Sequence, residues 1–226
     1  MAKKIAILGT SESSVKMSEG LDDSWEIWGC NAAYQFVSGY HKHFELHKID
    51  YLKTLGMIAE YTEYMKFKAG DLILNQPHAD FPQATIYPID KVLKFFNIKY
   101  FNNTIAYMVA LAIVANPDLE ELALFGVDMA ADTEYAHQRP CTEFYLGYAA
   151  ARGVAILIPN ICPILKSTHL YGIEDIPSHA MGIKSRLKEA KELSGKYSKE
   201  RENAIINQAY CKGRMDELAI LERLHT

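Results

Sequence analysis

The segments KIAILG, LEELALFGVD and VAILIP are apolar at consecutive positions, not at alternate ones. A strand of that kind buries both faces, as in a parallel sheet covered by helices on each side. Between these segments lie helical stretches, among them NTIAYMVALAIVA and CTEFYLGYAAARG, the second closed by a glycine. KIAILG leads into a helix near residues 13–20, and WEIWGCN and HKHFELH read as the next two strands. A helical region follows from Tyr51 to Lys68, then weaker strands at DLILN and ATIYPI in a proline-containing middle section. Strands alternating with helices in this order predict a doubly wound α/β domain with a mainly parallel sheet.

The composition changes after Pro177, and from Gly182 onward Lys, Glu, Arg, Leu and Ala dominate. Ile183, Leu187, Ala190 and Leu193 form a helical stripe, Gly195 is expected to break that helix, and Ser198 to cap a second one. The second helix carries one apolar face with Ile206, Tyr210, Ile220, Leu221 and Leu224 and another with Ala204, Cys211, Met215 and Leu218. A lone hairpin buries only one such face. The expected organisation is an α/β domain over 1–177 and a helical hairpin over 178–226 that also pairs with another copy, giving a homo-oligomer.

A net charge of −4 removes the electrostatic case for non-specific nucleic-acid binding. The cysteines show no C-x-x-C spacing, and Met1-Ala2-Lys3-Lys4 does not open a signal peptide, so free thiols and a cytoplasmic location are expected. IAYMVALAIVA falls short of the roughly 20 residues that cross a bilayer, so no membrane span is expected.

In an open sheet of this type ligands bind beyond the carboxyl ends of the strands. Gly9, Thr10 and Ser11 follow the first strand, Asn31 the second and His47 the third, while Gly126, Asp128 and Met129 close LEELALFGVDM. Asn102, Asn103 and Thr104 open the apolar helix, where N–H groups and the helix dipole suit a phosphate, though plain capping fits them equally. LGTSESS is neither G-x-G-x-x-G nor a loop ending in Gly-Lys-Ser/Thr; it offers one glycine and several hydroxyls to phosphate or sugar oxygens, or else a simple capped turn. Asp128 suits ribose hydroxyls. The stretch after it holds Asp132, Glu134, Tyr135, His137, Gln138 and Arg139, more polarity than a connector needs. His137 is the candidate general base. Tyr135 is a candidate for phosphate, Arg139 for phosphate or carboxylate, and Glu134 and Gln138 for substrate or phosphate. His41, His43 and His47 share one strand face, but a straight strand sets the outer two about 20 Å apart, so no metal site is expected from them. His47 remains a candidate pocket residue.

The order AILGTSESS, WGCNAAY, NTIAYMVALAI, ALFGVDM, a polar loop, then VAILIPNICPIL resembles the bacterial lipooligosaccharide sialyltransferases of glycosyltransferase family forty-two, and the related MptE-like superfamily, over residues 4 to 166. GVDMAADTEYAHQRP with a helical tail is similar to proteins of tailed phages and prophages. The resemblance implies a Rossmann-like domain, a variant of the glycosyltransferase A type. It implies a metal-independent transferase whose substrate is a nucleotide-sugar donor, CMP-linked in those enzymes, with no other cofactor. It places Gly9, Thr10 and Asn31 on the nucleotide and Thr104 near the donor phosphate. Asp128 matches that family's aspartate, Tyr135 its phosphate-binding tyrosine and His137 its base. A phage source implies nucleic acid, a nucleotide or a host glycan as acceptor. Two readings without transfer stay open: a non-catalytic binder of a nucleotide or signalling molecule, and an assembly or host-interaction protein working through its tail.

Overall fold

The computed structural model describes residues 3–54, 56, 59–129, 137–167, 169–174 and 178–224. The apolar segments form the expected strands: β1 (Lys3–Leu8), β2 (Trp25–Cys30), β3 (Lys42–Glu45), β4 (Asp71–Leu74), β5 (Thr85–Ile86), β6 (Leu119–Phe125) and β7 (Ala155–Leu157). They make one seven-stranded sheet in the order β5-β4-β3-β2-β1-β6-β7, and every neighbouring pair is parallel. The chain steps outward from β1 to β5, crosses back to lay β6 on the other side of β1, and adds β7. This is the doubly wound α/β architecture expected from the strand pattern.

Consecutive strand residues bury on opposite faces. Ile5 and Ile7 pack with α3 (Ile89–Phe96), α4 (Thr104–Ala115) and α5 (Arg139–Ala151), whereas Ala6 and Leu8 pack toward α1 (Ile49–Thr54) and α2 (Ala59–Phe67). In α4 every residue from Ile105 to Val114 except Tyr107 is buried. A helix apolar all round needs cover on all sides, and α4 is covered by the sheet, α3 and α5.

Three local expectations change. The stretch 13–20 forms a 3₁₀ turn at Val15–Gly20, and the region 51–68 is occupied by the two helices α1 and α2. HKHFELH contributes strand only over Lys42–Glu45, leaving His47 beyond the sheet edge. The middle section holds α3, which was not expected. Its amphipathic pattern begins directly after Pro88 and ends at Asn97, a left-handed C-cap with φ 53°.

A close backbone approach lies where β1 and β6 end. Gly9 N–H donates to the Phe125 carbonyl at 2.9 Å and Ser11 N–H to the Gly126 carbonyl at 2.9 Å. A Cβ on Gly9 would stand 2.4 Å from the Gly126 oxygen, and one on Gly126 2.8 Å from the Gly9 oxygen. Gly126 also has φ +66°, so it needs glycine twice over. Cys30 Sγ donates to the Leu8 carbonyl and Cys162 Sγ to the Val127 carbonyl, bracing the same corner.

The chain divides into two compact units, Met1–Lys166 and Ser167–Thr226. The second contains α6 (Ser178–Leu224), a single helix of 47 residues and not the expected hairpin. Gly195 and Ser198 lie inside it. An interior glycine costs only about 1 kcal/mol relative to alanine, too little to break a helix of this length. No helix among the described residues is long and apolar enough to cross a membrane.

Gly9→Ala should therefore destabilise the first unit by about 2 kcal/mol, a fall of roughly 4–8 °C in Tm for a chain of this size. Gly147→Ala, on α5 with open space around its Cβ position, should instead stabilise by about 0.5–1 kcal/mol. Thermal and urea denaturation of the two variants check both signs.

Candidate functional site

The reversal of strand order between β1 and β6 leaves a crevice at the carboxyl edge of the sheet. It holds a cavity of about 680 Å³. Gly9, Thr10 and Ser11 line it from the β1 loop, Cys30 and Asn31 from the end of β2, and His47 from beyond β3. Asn102, Asn103, Thr104 and Ile105 line it from the start of α4, Gly126 through Met129 from the β6 loop, and Gln138 from the residue before α5. No lysine or arginine is among the described residues that line it. The expected positions at Asp132, Glu134 and Tyr135 lie outside the described residues.

The hydroxyls of LGTSESS do a different job from the one their composition suggests. Ser11 Oγ donates to Asp128 Oδ2 at 2.5 Å, and Ser13 Oγ lies 2.8 Å from both oxygens of the same carboxylate. Ser14 Oγ accepts from Gly126 N–H at 2.9 Å. These serines tie the β1 loop to the β6 loop, and Thr10 beside them is exposed. Asp128 keeps acceptor lone pairs beyond those the serines occupy. Met129, next to it, takes φ 39°, in the left-handed region that a bulky residue occupies at a cost.

Asn31 has φ 51° at the end of β2, and its Oδ1 is buried with no hydrogen-bond partner among the described residues. Leaving a buried acceptor unmade costs about 1–3 kcal/mol. The residue itself lines the cavity.

At the α4 terminus the asparagines serve the protein. Asn103 Oδ1 accepts from Ala106 N–H at 2.9 Å and from Thr142 Oγ1 at 3.1 Å, while its Nδ2 donates to the Gln138 carbonyl and to Asn102 Oδ1. Asn102 Nδ2 donates to the His137 carbonyl at 2.7 Å. Asn103 has spent its whole amide on capping α4 and clamping the start of α5. The first N–H groups of a helix lack intrahelical partners; with Ala106 taken, those of Thr104 and Ile105 are left for the cavity, beside the Thr104 hydroxyl.

His137 and Arg139 stand outside the lining. His137 is exposed, and the Arg139 guanidinium donates to Glu143 Oε1 at 2.8 Å and to the Lys166 carbonyl at 3.2 Å. Glu143 Oε1 also accepts from Leu165 N–H. Arg139 thus fastens the segment after β7 to α5, a structural use of the charge expected to meet a phosphate. The strand histidines have separate partners: His41 Nδ1 accepts from Ile27 N–H, His43 Nε2 meets Tyr61 Oη, and His47 Nδ1 meets Glu45.

Glu45 is the residue that sequence reasoning missed. It is buried at the end of β3, and its Oε1 accepts from His47 N–H at 2.9 Å and lies 2.7 Å from His47 Nδ1. Tyr61 Oη donates to Glu45 Oε2 at 2.7 Å. The hydrogen bond to Glu45 raises the His47 pKa above its ordinary 6.5, outweighing partial burial. An acidic residue two before a histidine at a strand end was the available signal, and the alternation of histidines drew attention from it.

No family model matches the chain, and no curated protein matches it in sequence. Among solved structures, a point variant of the sialyltransferase CST-II in complex with CMP is similar at 16% identity, with 81% of this chain and 98% of that chain covered and a TM-score of 0.48.

Asn103→Ala removes a helix cap and strands Thr142 Oγ1, and it should destabilise the first unit by about 2 kcal/mol. A urea titration that finds the variant as stable as the parent would show the clamp to be dispensable.

Proposed function

We propose that the chain is a transferase that uses a nucleotide-activated donor, a nucleotide sugar, bound in the cavity between β1 and β6. The observation that carries this reading is that Thr10, Asn31, Thr104 and Asp128, from four separate stretches of chain, line one cavity at the carboxyl edge of the sheet, with the α4 N-terminus among its walls. In this arrangement the asparagine accepts from the nucleoside and Asp128 accepts from ribose hydroxyls. The N–H groups of Thr104 and Ile105 and the Thr104 hydroxyl hold the phosphate with help from the helix dipole. Charge that builds on the departing phosphate is met by these fixed donors, without a metal in this reading.

Incubation with nucleotides at 100 times the dissociation constant should stabilise the chain by about 2.7 kcal/mol, read as a rise in Tm of roughly 5–10 °C. Asn31→Ala should weaken that binding about tenfold or more. Release of free nucleotide from a panel of nucleotide sugars tests transfer itself. Binding without release would make the chain a nucleotide binder, and no stabilisation by any nucleotide would end the proposal.

We also propose that α6 pairs with α6 of a second copy. Ile183, Leu187, Ala190, Tyr197, Ala204, Cys211, Met215 and Leu218 fall on one seven-residue repeat, together with the polar Ser194, Arg201 and Gln208. Ile183, Leu187, Met215 and Leu218 are each more than half exposed. A repeat of seven sustained over this length favours a left-handed supercoil of helices. Leu187→Lys combined with Leu218→Lys should convert an oligomer to a monomer in sedimentation velocity, and an unchanged sedimentation coefficient would refute the pairing.

A further inference from the structure

Behind the cavity lies a chain of buried polar groups that donor binding does not use. His43 is fully buried, and burial pushes its pKa down to about 4, so its ring is neutral with one N–H. Tyr61 donates its only hydrogen to Glu45 Oε2, so its oxygen accepts from His43 Nε2–H at 3.1 Å. The hydrogen bonds therefore run in one direction, from His43 through Tyr61 to Glu45. The other oxygen of Glu45 receives His47 N–H and Nδ1–H. A buried carboxylate carries a desolvation cost of several kcal/mol, and here it orients a ring that is half exposed in the cavity.

We propose that His47 is the catalytic base of the transfer, with Glu45 as its positioning residue; this rests on the donor reading above. With Nδ1–H fixed on Glu45, the nitrogen left to the cavity is Nε2, unprotonated in the neutral ring. The acceptor hydroxyl gives its proton to Nε2 while its oxygen forms the bond to the anomeric carbon of the donor. The bond from that carbon to the phosphate oxygen breaks, and its electron pair leaves with the nucleotide. His47 ends as an imidazolium whose charge faces Glu45, then returns the proton to water. A carboxylate that fixes the tautomer and stabilises the cation formed is the arrangement that makes a histidine an effective base.

The titratable groups near His47 are few. Glu45 stands on its own strand, Cys30 at the end of β2, Tyr61 on α2 behind Glu45, Asp128 in the β6 loop, and Lys48 follows His47 in the chain. Burial pushes Cys30 up to about 12 and Tyr61 well above its ordinary 10, so both stay neutral across the working range. Glu45 alone raises His47. A base works when unprotonated, so activity rises with pH through the His47 pKa. That limb lies above pH 6.5 in the parent and moves to lower pH once the carboxylate is gone.

The test uses nucleotide release from the donor sugar on which the full chain is active, over pH 5–9, with NMR titration of the His47 ring alongside. His47→Gln should bind nucleotide within about threefold of the parent and lose release by about 100-fold or more. Glu45→Gln should lower the plateau and shift both the acidic limb and the His47 titration to lower pH, which a purely structural role would not do. If Glu45→Gln does not fold, Tyr61→Phe, which strips one donor from Glu45, should move the same limb upward. Release that survives His47→Gln, or that is lost in His137→Ala with His47→Gln active, overturns the base assignment and leaves the donor reading standing. A parent chain that binds nucleotide but releases none from any donor overturns both.

Discussion

The meeting of two backbones at Gly9 and Gly126 governs the rest of the first unit. Because neither residue has a Cβ, β1 and β6 can end side by side with their carbonyl and amide groups in direct register. The three serines that follow Gly9 then reach across to the β6 loop, and two thiols brace the same corner from either side. The cavity is what remains between loops that are already bound to each other. The described walls between β1 and β6 are tied to each other by these bonds before anything binds, which lowers the entropic cost of binding.

Much of this was legible in the residues. Runs such as AILG and LALF declare two buried faces, and the two-sided burial then dictates the parallel sheet and its helical cover. The positions facing the cavity were legible for the same reason, since a parallel sheet puts all its strand-end loops on one edge. What the residues did not reveal is how each polar side chain spends its hydrogen bonds. Ser11, Asn103 and Arg139 carry the right chemistry for a phosphate, yet in each case the groups that do that chemistry are engaged by the protein. Asn31, by contrast, shows an acceptor left unmade, a property visible only when its surroundings are known. Glu45 was hidden because a lone carboxylate in HKHFELH looks like a surface residue until the strand is buried. In α6 the glycine signal was overrated, because a penalty of about 1 kcal/mol does not compete with the continuity of a long helix.

The two polar systems of the first unit differ in kind. Around Asp128 and Asn103 the hydrogen bonds are loop-to-loop and helix-to-helix, and their effect is to hold shape. Behind His47 they form a directed series that begins at a neutral, buried imidazole and ends on a carboxylate. Directed series of this sort polarise one another in a low-dielectric interior, and Glu45 is the member of the series that raises the His47 pKa.

A cavity whose described lining carries no lysine or arginine treats an anion differently from a cationic clamp. Oriented dipoles attract at short range and fade within about one helical turn, so the grip depends on fit. In the proposed reading, a spent nucleotide meets no lysine or arginine of the described lining as it leaves. The site is suited to letting go as much as to holding, and in the proposed cycle it gains a positive charge at His47 for the interval in which that ring carries the acceptor's proton.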